Sequence, residues 1–359
     1  MLAFLKLAIA FITSLATIAF PIAPGVVGGA DKFFYNWNES AVYSSEDYAV
    51  SLEKQPDKDF VVLNFTDVQL TDIEAYGKYG EIAEGTMDRL ITELKPDLIT
   101  LTGDNAWGAL AYLKLINFVD SYGIPWAAVM GNHDGQNLVS EFWAAYRMAN
   151  AKNSVFDYGP KDMGYGNYII NVTENGKTVH TLFMMDTHSN APGGGYDQLW
   201  PNQISWYKWA VKGIAEENGG NVVQSTVFFH IPVNEYADAW AEAWDAENKT
   251  YRPEYADTSF GRNDEGVCSP RPDNRNGFFD VCRELGSTKD MIAGHDHINC
   301  SSILYKGIRL SYGYKTGSGC YSTPDMNGGS TLSIASDGTT LFEHHFVDAA
   351  SIHTSSPIC

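Results

Sequence analysis

The sequence predicts an α/β fold in which two sheets form a sandwich with helices on both outer faces. In the first half, short apolar runs alternate with segments of helical periodicity, as in a mostly parallel sheet with covering helices. The second half has the same alternation and ends in a strand meander from Ser302 onward. No internal repeat or low-complexity linker divides the chain. One domain over residues 31–349, followed by a tail over 350–359, is therefore the simplest organisation.

The first half contains five regular elements. Apolar runs and helical spacing predict a strand, a helix, a strand, a helix and a strand at residues 60–65, 82–94, 97–101, 110–119 and 125–130. Pro96 marks the end of the first helix, because proline cannot continue the hydrogen-bond pattern. The polar and aromatic segment 31–58 is expected to be an edge strand or a lead-in.

The second half supplies a hairpin, two helices and two strands before the meander. Asn175-Gly176 is a two-residue hairpin turn between predicted strands at 168–172 and 178–185. Helical and apolar patterns predict the other four elements at residues 204–214, 222–229, 277–285 and 290–293. Residues 246–276 are polar and irregular, and we expect them to form a long loop over a functional site.

Composition narrows the classes of function. The chain has 359 residues, of which 44% are hydrophobic, so it can bury a sizeable core. Its formal net charge is −20 at pH 7. This acidity argues against nucleic-acid binding and against docking on anionic membranes.

The N-terminus has the pattern of a secretory signal peptide. A short, weakly basic start precedes an apolar run at 7–20, and a glycine-rich stretch follows it. A bilayer core of about 30 Å takes roughly 20 apolar residues, so this run is short for a membrane span. We expect residues 1–30 to be a signal peptide, with an uncleaved anchor as the alternative, and the mature protein to be lumenal or secreted. No later stretch is long and apolar enough to span a membrane.

Cysteines and sequons agree with that compartment. None of the five cysteines forms a Cys-x-x-Cys pair, so structural disulfides are the expectation in an oxidising environment. Proximity along the chain pairs Cys268 with Cys282 and Cys300 with Cys320, leaving Cys359 unpaired, although sequence alone leaves other pairings open. Glycans are not expected at the sequons of Asn64 and Asn299, and the remaining candidates are Asn38, Asn171 and Asn248.

Acidic, amide and histidine side chains follow the predicted strands in short clusters. In chain order these are Asp67-Val68-Gln69, Gly103-Asp104-Asn105, Gly131-Asn132-His133-Asp134, His230 and Gly294-His295-Asp296-His297. Carboxylate, amide oxygen and imidazole together suit Mn, Zn and Fe. Two ions about 3.5–4 Å apart can hold the attacking and the leaving oxygens of a phosphoryl displacement. Each cluster alone could be a turn or a helix cap, but their number and order favour a metal site.

The clusters, taken in order, resemble those of the calcineurin-type metallophosphoesterase superfamily. Further stretches are similar to a branch that includes purple-acid-phosphatase-like plant proteins and a fungal cell-cycle phosphatase: residues 228–236, Gln203-x-x-Trp206, Glu265-Gly266, Phe278-Phe279 and Gly313-x-x-x-Gly317. The resemblance covers roughly residues 58–345. It implies a four-layer α/β/β/α fold and a phosphoric ester hydrolase that uses a dinuclear metal centre and a metal-bound hydroxide.

The resemblance also implies a role for each residue. The metal ligands would be Asp67 and His297 at the first metal, Asp104 as the bridge, and Asn132, His230 and His295 at the second metal. His133 would donate a proton to the leaving oxygen or steady the phosphoryl charge, with Asp134 as its orienting partner. Asn105 and His188 are weaker candidates for substrate contact, and for His188 an ordinary structural role is the main alternative. The cofactor would be two divalent or mixed-valence ions of Mn, Zn, Fe or Mg.

Two positions depart from the family pattern. Purple acid phosphatases carry a tyrosine three residues after the bridging aspartate, where this chain has Trp107, and an indole cannot bind a metal. Gln69 stands where a second metal-binding histidine is expected. Gln69 could bind the metal through its amide oxygen, or it could line the pocket and only hydrogen-bond a metal-bound water. An amide oxygen is a harder and weaker ligand than imidazole, so in either case the first metal should bind more weakly or be a harder ion such as Mn or Mg.

Three functions remain open. The first is hydrolysis of phosphomonoesters, on a phosphorylated small molecule or a phosphoprotein. The second is the same chemistry on phosphodiesters, and the third is a non-catalytic metal-binding relative. The presence of His133 and of a full bridge favours an enzyme.

Overall fold

Two large sheets organise the protein in this computed structural model, which describes residues 34–354. The first half contains, in chain order, α1 (Ser45–Tyr48), β1 (Ala49–Glu53), β2 (Phe60–Phe65), β3 (Leu70–Thr71), α2 (Asp72–Ala75), α3 (Lys78–Leu94), β4 (Leu98–Thr102), β5 (Ala106–Trp107), α4 (Ala109–Asp120), β6 (Trp126–Val129) and α5 (Glu141–Ala149). The second half contains β7 (Tyr168–Glu174), β8 (Lys177–Met184), α6 (Pro201–Glu217), β9 (Gln224–Phe228), α7 (Glu235–Ala243), β10 (Trp244–Asp245), β11 (Thr250–Tyr251), α8 (Pro253–Ala256), α9 (Phe278–Leu285), β12 (Thr288–Ala293), β13 (Ser302–Tyr305), β14 (Ile308–Tyr312), β15 (Gly328–Ile334) and β16 (Thr340–Phe346). A 3-10 turn at Ala349–Ser351 follows.

The five-stranded sheet has the order β16-β15-β2-β4-β6. Its strands β2, β4 and β6 are parallel, whereas β15 and β16 are added antiparallel. The seven-stranded sheet has the order β1-β7-β8-β9-β12-β14-β13, with β8, β9, β12 and β14 parallel. Each sheet therefore presents the carboxyl ends of several parallel strands at one edge.

Successive side chains along a strand point to opposite faces of its sheet, and they show which layer lies against each face. Ile170 and Leu182 of the seven-stranded sheet are buried in the same apolar cluster as Leu101 of the five-stranded sheet. Their neighbours Ile169 and Phe183 are buried in a second cluster with α6, α7 and α9. Helices α3, α4 and α5 contribute to the first cluster. The predicted sandwich of two sheets with helices outside is confirmed.

The strongly periodic elements were predicted well. The five predicted for the first half match β2, α3, β4, α4 and β6, and segment 31–58 supplies the edge strand β1. Helices α5 and α7 were not predicted. Residues 246–276 are not irregular throughout, because β11 and α8 interrupt the loop.

The predicted disulfides are wrong. Four cysteines lie within residues 34–354 and all are free: Cys268, Cys282, Cys300 and Cys320. Cys282 is buried on α9 beside Tyr207, whereas the amide of Cys268 donates to Asp296 in another part of the fold. Cys359 lies outside the described residues.

The sequons divide by burial. Asn64 and Asn299 are buried, as expected of sites that carry no glycan. Asn171 is also buried, where it donates to Ser45 and accepts from Thr181, so the prediction of a glycan there is wrong. The candidates Asn38 and Asn248 are exposed, and their glycosylation stays a prediction.

The signal-peptide prediction for residues 1–30 lies outside the described residues, as does the end of the 350–359 tail. Within residues 34–354, none of the helices has the length and apolar character needed to cross a membrane.

Candidate metal centre

The predicted ligands lie just beyond the carboxyl ends of five parallel strands. Asp67, Asp104 and Asn132 follow β2, β4 and β6 of one sheet, and His230 and His295 follow β9 and β12 of the other. All five side chains are buried. Both sheets therefore deliver polar groups into one place between their edges.

Three ligand atoms surround the Nε2 atom of His230. Asn132 Oδ1 lies 3.1 Å from it, His295 Nδ1 lies 3.3 Å from it, and Asp104 Oδ1 lies 3.4 Å from it. Oxygens of an amide and a carboxylate and the unprotonated nitrogens of imidazoles all carry lone pairs. Lone pairs brought this close need a proton or a metal ion between them. We call this group the second metal position.

A second group forms around Asp67. Single ligand atoms of Asp67, Asp104 and His297 all lie within 4.8 Å of one another, and the three side chains are buried. The Asp67 Oδ1 atom is 3.4 Å from His297 Nε2. Asp104 belongs to both groups, which is the arrangement that a bridging carboxylate requires. We call this group the first metal position.

Two of the histidines are held from behind by carbonyl oxygens. His230 Nδ1 lies 2.9 Å from the carbonyl of Thr102, and His297 Nδ1 lies 3.0 Å from the carbonyl of Tyr321. A carbonyl can only accept, so each Nδ1 carries a proton and each Nε2 is the ring atom that faces the cluster. Metal-binding histidines are oriented in this way.

Glycines permit the close approach of these loops. A side chain at Gly103, whose φ is +85°, would meet the His230 ring at 2.5 Å. A side chain at Gly131 would meet Asp104 Oδ1 at 2.3 Å. Asp67 and Asp104 themselves have positive φ values of 52° and 46°, a left-handed conformation that recurs at functional sites.

The electrostatics match the geometry. Burial raises the pKa of Asp67 and of Asp104, but contacts with His297 and His230 outweigh it and hold both below their usual range. Burial lowers the pKa of His230, yet the Asp104 charge raises it to about 10 overall. Burial and the charge of His230 lower the pKa of His295 to about 3. The raised pKa of His230 thus places a proton among the ligand atoms, and a bound metal ion would replace that proton.

His133 lies beside the cluster of ligands, but the prediction that Asp134 orients its ring is wrong. Its amide donates to Asp104 Oδ1 at 2.9 Å, and its ring Nδ1 lies 2.9 Å from Gln136 Oε1. Asp134 is turned away into the protein. Its carboxylate accepts from the amides of Gly131 at 2.7 Å and Asn105 at 2.8 Å, and from the Asn105 side chain at 2.8 Å. Asp134 therefore ties the β4 and β6 loops together and does not orient His133.

Gln69 is within the cluster. Its side chain is buried, and Nε2 donates to Asp104 Oδ2 at 3.1 Å. Its Oε1 has no hydrogen-bond partner among the described residues, and neither does His295 Nε2. Buried polar atoms are rarely left unpaired, so an orphaned oxygen of an amide that contacts Asp104 fits a cation-binding role. The residues present therefore fit two metal ions.

The two weaker candidates are engaged elsewhere. Asn105 Nδ2 binds Asp134 and the carbonyl of Val129, which leaves only Oδ1 without a partner. His188 Nε2 lies 2.9 Å from Gln203 Oε1, and the His188 ring stacks on Trp200 with centroids 3.8 Å apart. Substrate contact by either residue stays a prediction.

Aromatic rings flank the other histidines. Trp107 lies beside His133 at 5.2 Å between centroids, and Tyr196 meets the His295 ring edge-on at 4.3 Å. Sequence reasoning did not predict Tyr196, nor Lys315, which is buried with Nζ donating to the Asp67 carbonyl. The contact of Gln136 with the His133 ring was also not predicted. Gln136 lies three residues after His133, and its amide donates to the His133 carbonyl in a turn.

Residues 60–299 match the family model for the calcineurin-like phosphoesterases. The chain belongs to the calcineurin-like phosphoesterase family.

Relatives fall in the branch that the sequence resembled. The chain is 28% identical over 255 residues to "Probable inactive purple acid phosphatase 14" of Arabidopsis thaliana, with 63% of this chain and 60% of that protein covered. It is 31% identical over 228 residues to "Phosphatase DCR2" of Saccharomyces cerevisiae, with 57% of this chain and 36% of that protein covered. The chain thus spans about three-fifths of the length of the Arabidopsis relative.

Solved structures with similar folds include two phosphatases. A dimetal phosphatase from Danio rerio has 12% identity and a TM-score of 0.43, with 77% of this chain and 93% of that chain covered. The purple acid phosphatase PPD1 of yellow lupin has 11% identity and a TM-score of 0.42, with 83% of this chain and 53% of that chain covered.

Proposed function

We propose that this protein hydrolyses phosphoric esters at a dinuclear metal centre. The observation that carries the proposal is the convergence of Asn132, His295 and Asp104 on His230 Nε2 at 3.1–3.4 Å. It is supported by the adjoining group of Asp67, Asp104 and His297. When bound, two metal ions would lower the pKa of water toward roughly 7 and neutralise the charge of the phosphoryl group.

The residues of the chain would divide the remaining work. Asp104 faces both positions, so it would set their separation. His133 has Nδ1 occupied by Gln136, which leaves Nε2 as the ring atom available to a substrate oxygen. The hydrogen bond from its main-chain amide to Asp104 holds the backbone of His133 beside the cluster. His133 would thus protonate the leaving oxygen or stabilise the phosphoryl charge.

We further propose a phosphomonoester of a small molecule or a phosphoprotein as the substrate, in the secretory pathway. The metal identities proposed are Mn, Zn, Fe or Mg, which suit carboxylate, amide and imidazole ligands. A phosphodiester is the second candidate, because the same centre can hold the leaving oxygen of either ester.

A non-catalytic role is the third candidate, and one observation favours it: the similar Arabidopsis proteins are named probable inactive. Against it, the proton donor and the bridge that an inactive protein could lose are both present here, as His133 and Asp104.

The test is hydrolysis by protein freed of metal and then given Mn, Zn, Fe or Mg separately. p-Nitrophenyl phosphate and bis(p-nitrophenyl) phosphate distinguish monoesterase from diesterase activity. The proposal expects turnover that is lost with chelator and restored by metal. No turnover on a panel of esters by protein that holds two metal ions would favour the non-catalytic candidate.

A further inference from the structure

The two metal positions differ in the chemistry of their ligands. The second position has two imidazoles, His230 and His295, with the amide oxygen of Asn132 and the shared Asp104. The first position has one imidazole, His297, with Asp67 and the shared Asp104. Imidazole favours zinc-like ions, whereas oxygen ligands favour Mg and Mn. The difference in nitrogen count therefore makes the positions unequal in preference.

Gln69, two residues after Asp67, places its amide beside the shared Asp104. A carboxylate accepts but does not donate, so the hydrogen bond to Asp104 Oδ2 identifies the bound amide atom of Gln69 as Nε2. The other atom, Oε1, is then the buried oxygen without a partner. Gln69 also has a φ of 36°, a strained conformation that its surroundings hold in place. The amide is thus anchored on the bridging carboxylate with its oxygen free to bind a cation.

Lys315 places a buried amino group behind the same position. Its side chain is buried, and Nζ donates to the carbonyl oxygen of Asp67. Pairing of Thr66 with Lys315 and the bond from the amide of Thr316 to the Thr66 carbonyl hold the backbone there. A buried ammonium opposes a nearby cation more strongly than an exposed one, because water does not screen it. In its charged form Lys315 would offset the charge of Asp67 and weaken cation binding at the first position.

We propose that the first position binds a hard divalent ion, Mn²⁺ or Mg²⁺, reversibly through Gln69 Oε1, while the second position retains a zinc-like ion firmly. The free concentration of the hard ion then controls activity. This inference rests on the proposed dinuclear centre.

Binding measurements on metal-free protein test it without reference to activity. Isothermal titration with Zn²⁺ should show one tight site and one weaker site per chain. Mn²⁺ added to protein with one equivalent of Zn²⁺ should bind at the weaker site and give the electron paramagnetic resonance signal of protein-bound Mn²⁺. Equal affinity of both sites for Zn²⁺, or failure of Mn²⁺ to bind beside Zn²⁺, would overturn the inference.

Two variants assign the difference to its residues. Gln69→His should raise the affinity of the weaker site for Zn²⁺ by about tenfold or more and leave the tight site unchanged. Lys315→Met should raise the affinity of the weaker site for both ions. The matched controls are Gln55→His, at an exposed residue, and Lys54→Met, because Lys54 is also buried and also donates to a main-chain oxygen. Unchanged affinities in both folded test variants would overturn the inference; if either fails to fold, the wild-type titrations decide.

The two proposals fail separately. If both sites bind Zn²⁺ with equal affinity and the protein hydrolyses esters, the inference is wrong and the proposed function stands. Unequal sites without hydrolysis would remove the function and leave the metal selectivity.

Discussion

The main-chain amide of His133 donates to Asp104 Oδ1 at 2.9 Å. This bond links the residue proposed to serve the leaving group with the carboxylate proposed to bridge the metals. It crosses from the loop after β6 to the loop after β4. The bond therefore fixes the main chain of His133 relative to the Asp104 carboxylate, while the Gln136 side chain holds the His133 ring.

Asp104→Asn should abolish both metal positions together, because Asp104 is their one shared ligand. We expect less than one tightly bound ion per chain and a loss of activity on the order of a thousandfold. Metal analysis after dialysis and the rate of ester hydrolysis measure the two effects. Asp337→Asn, at an exposed turn, is the control and should retain both properties. Retention of two ions by Asp104→Asn would contradict the bridge.

His133→Ala should slow hydrolysis in a manner that depends on the leaving group. An alkyl phosphate needs a proton on its leaving oxygen and should lose roughly 10²–10⁴-fold in kcat. p-Nitrophenyl phosphate, whose leaving group is acidic, should lose much less. Equal losses on both substrates would show that His133 acts on the phosphoryl charge and not as an acid. Gln136→Ala, which frees the ring, should reproduce the same trend more weakly.

Asp134→Ala should act on stability, since the carboxylate holds the amides of Gly131, Asn105 and Ala106. Leaving several buried donors unpaired should lower the free energy of unfolding by about 3–5 kcal/mol. Urea denaturation in chelator measures this without a metal contribution. The exposed Asp257→Ala is the control. A variant of wild-type stability that lacks activity would instead make Asp134 a catalytic group.

Iron-loaded protein should lack the visible charge-transfer band of a tyrosinate bound to ferric iron. The position three residues after Asp104 is Trp107, whose indole offers no lone pair to a metal. An absorption spectrum of protein reconstituted with iron measures this directly. A purple chromophore in the wild-type protein would mean that another tyrosine reaches the centre.

The stability of the metal-free protein should fall between pH 7 and pH 5 through His180. Burial lowers the pKa of His180 to about 4, while the carbonyl of Gly338 and the hydroxyl of Thr226 occupy its two ring nitrogens. Because the unfolded chain binds the proton more readily, this stability is complete above pH 6.5 and is lost as pH falls toward 4. The loss is about 2 kcal/mol at pH 5. His180→Gln should show a shallower decline in urea denaturation over this range, and an identical decline would contradict the assignment.

Short-range patterns predicted the positions of the ligands. Asp67, Asp104 and Asn132 end apolar runs, and the carboxyl ends of parallel strands share an edge, so their convergence could be expected from sequence. Helix α5 could also have been found, because Ser140 caps it by accepting from the amide of Trp143.

Long-range contacts were the part that sequence did not reveal. Lys315 reaches Asp67 only because Lys315 pairs with Thr66, which lies far away in the chain. The acceptor of the His297 ring is a main-chain carbonyl, that of Tyr321, so no side-chain type marks it. The role of Asp134 was mistaken because neighbours in sequence, here His133 and Asp134, point to opposite sides of a turn.

Anomalous diffraction from crystals soaked in Zn²⁺ and Mn²⁺ tests the dinuclear centre most directly. We predict two peaks about 3.5–4 Å apart, with Asp104 between them. One peak should lie about 2.0–2.2 Å from ligand atoms of Asn132, His230 and His295, and the other should lie near Asp67, Gln69 and His297. A single peak, or peaks that lie away from these residues, would contradict the account.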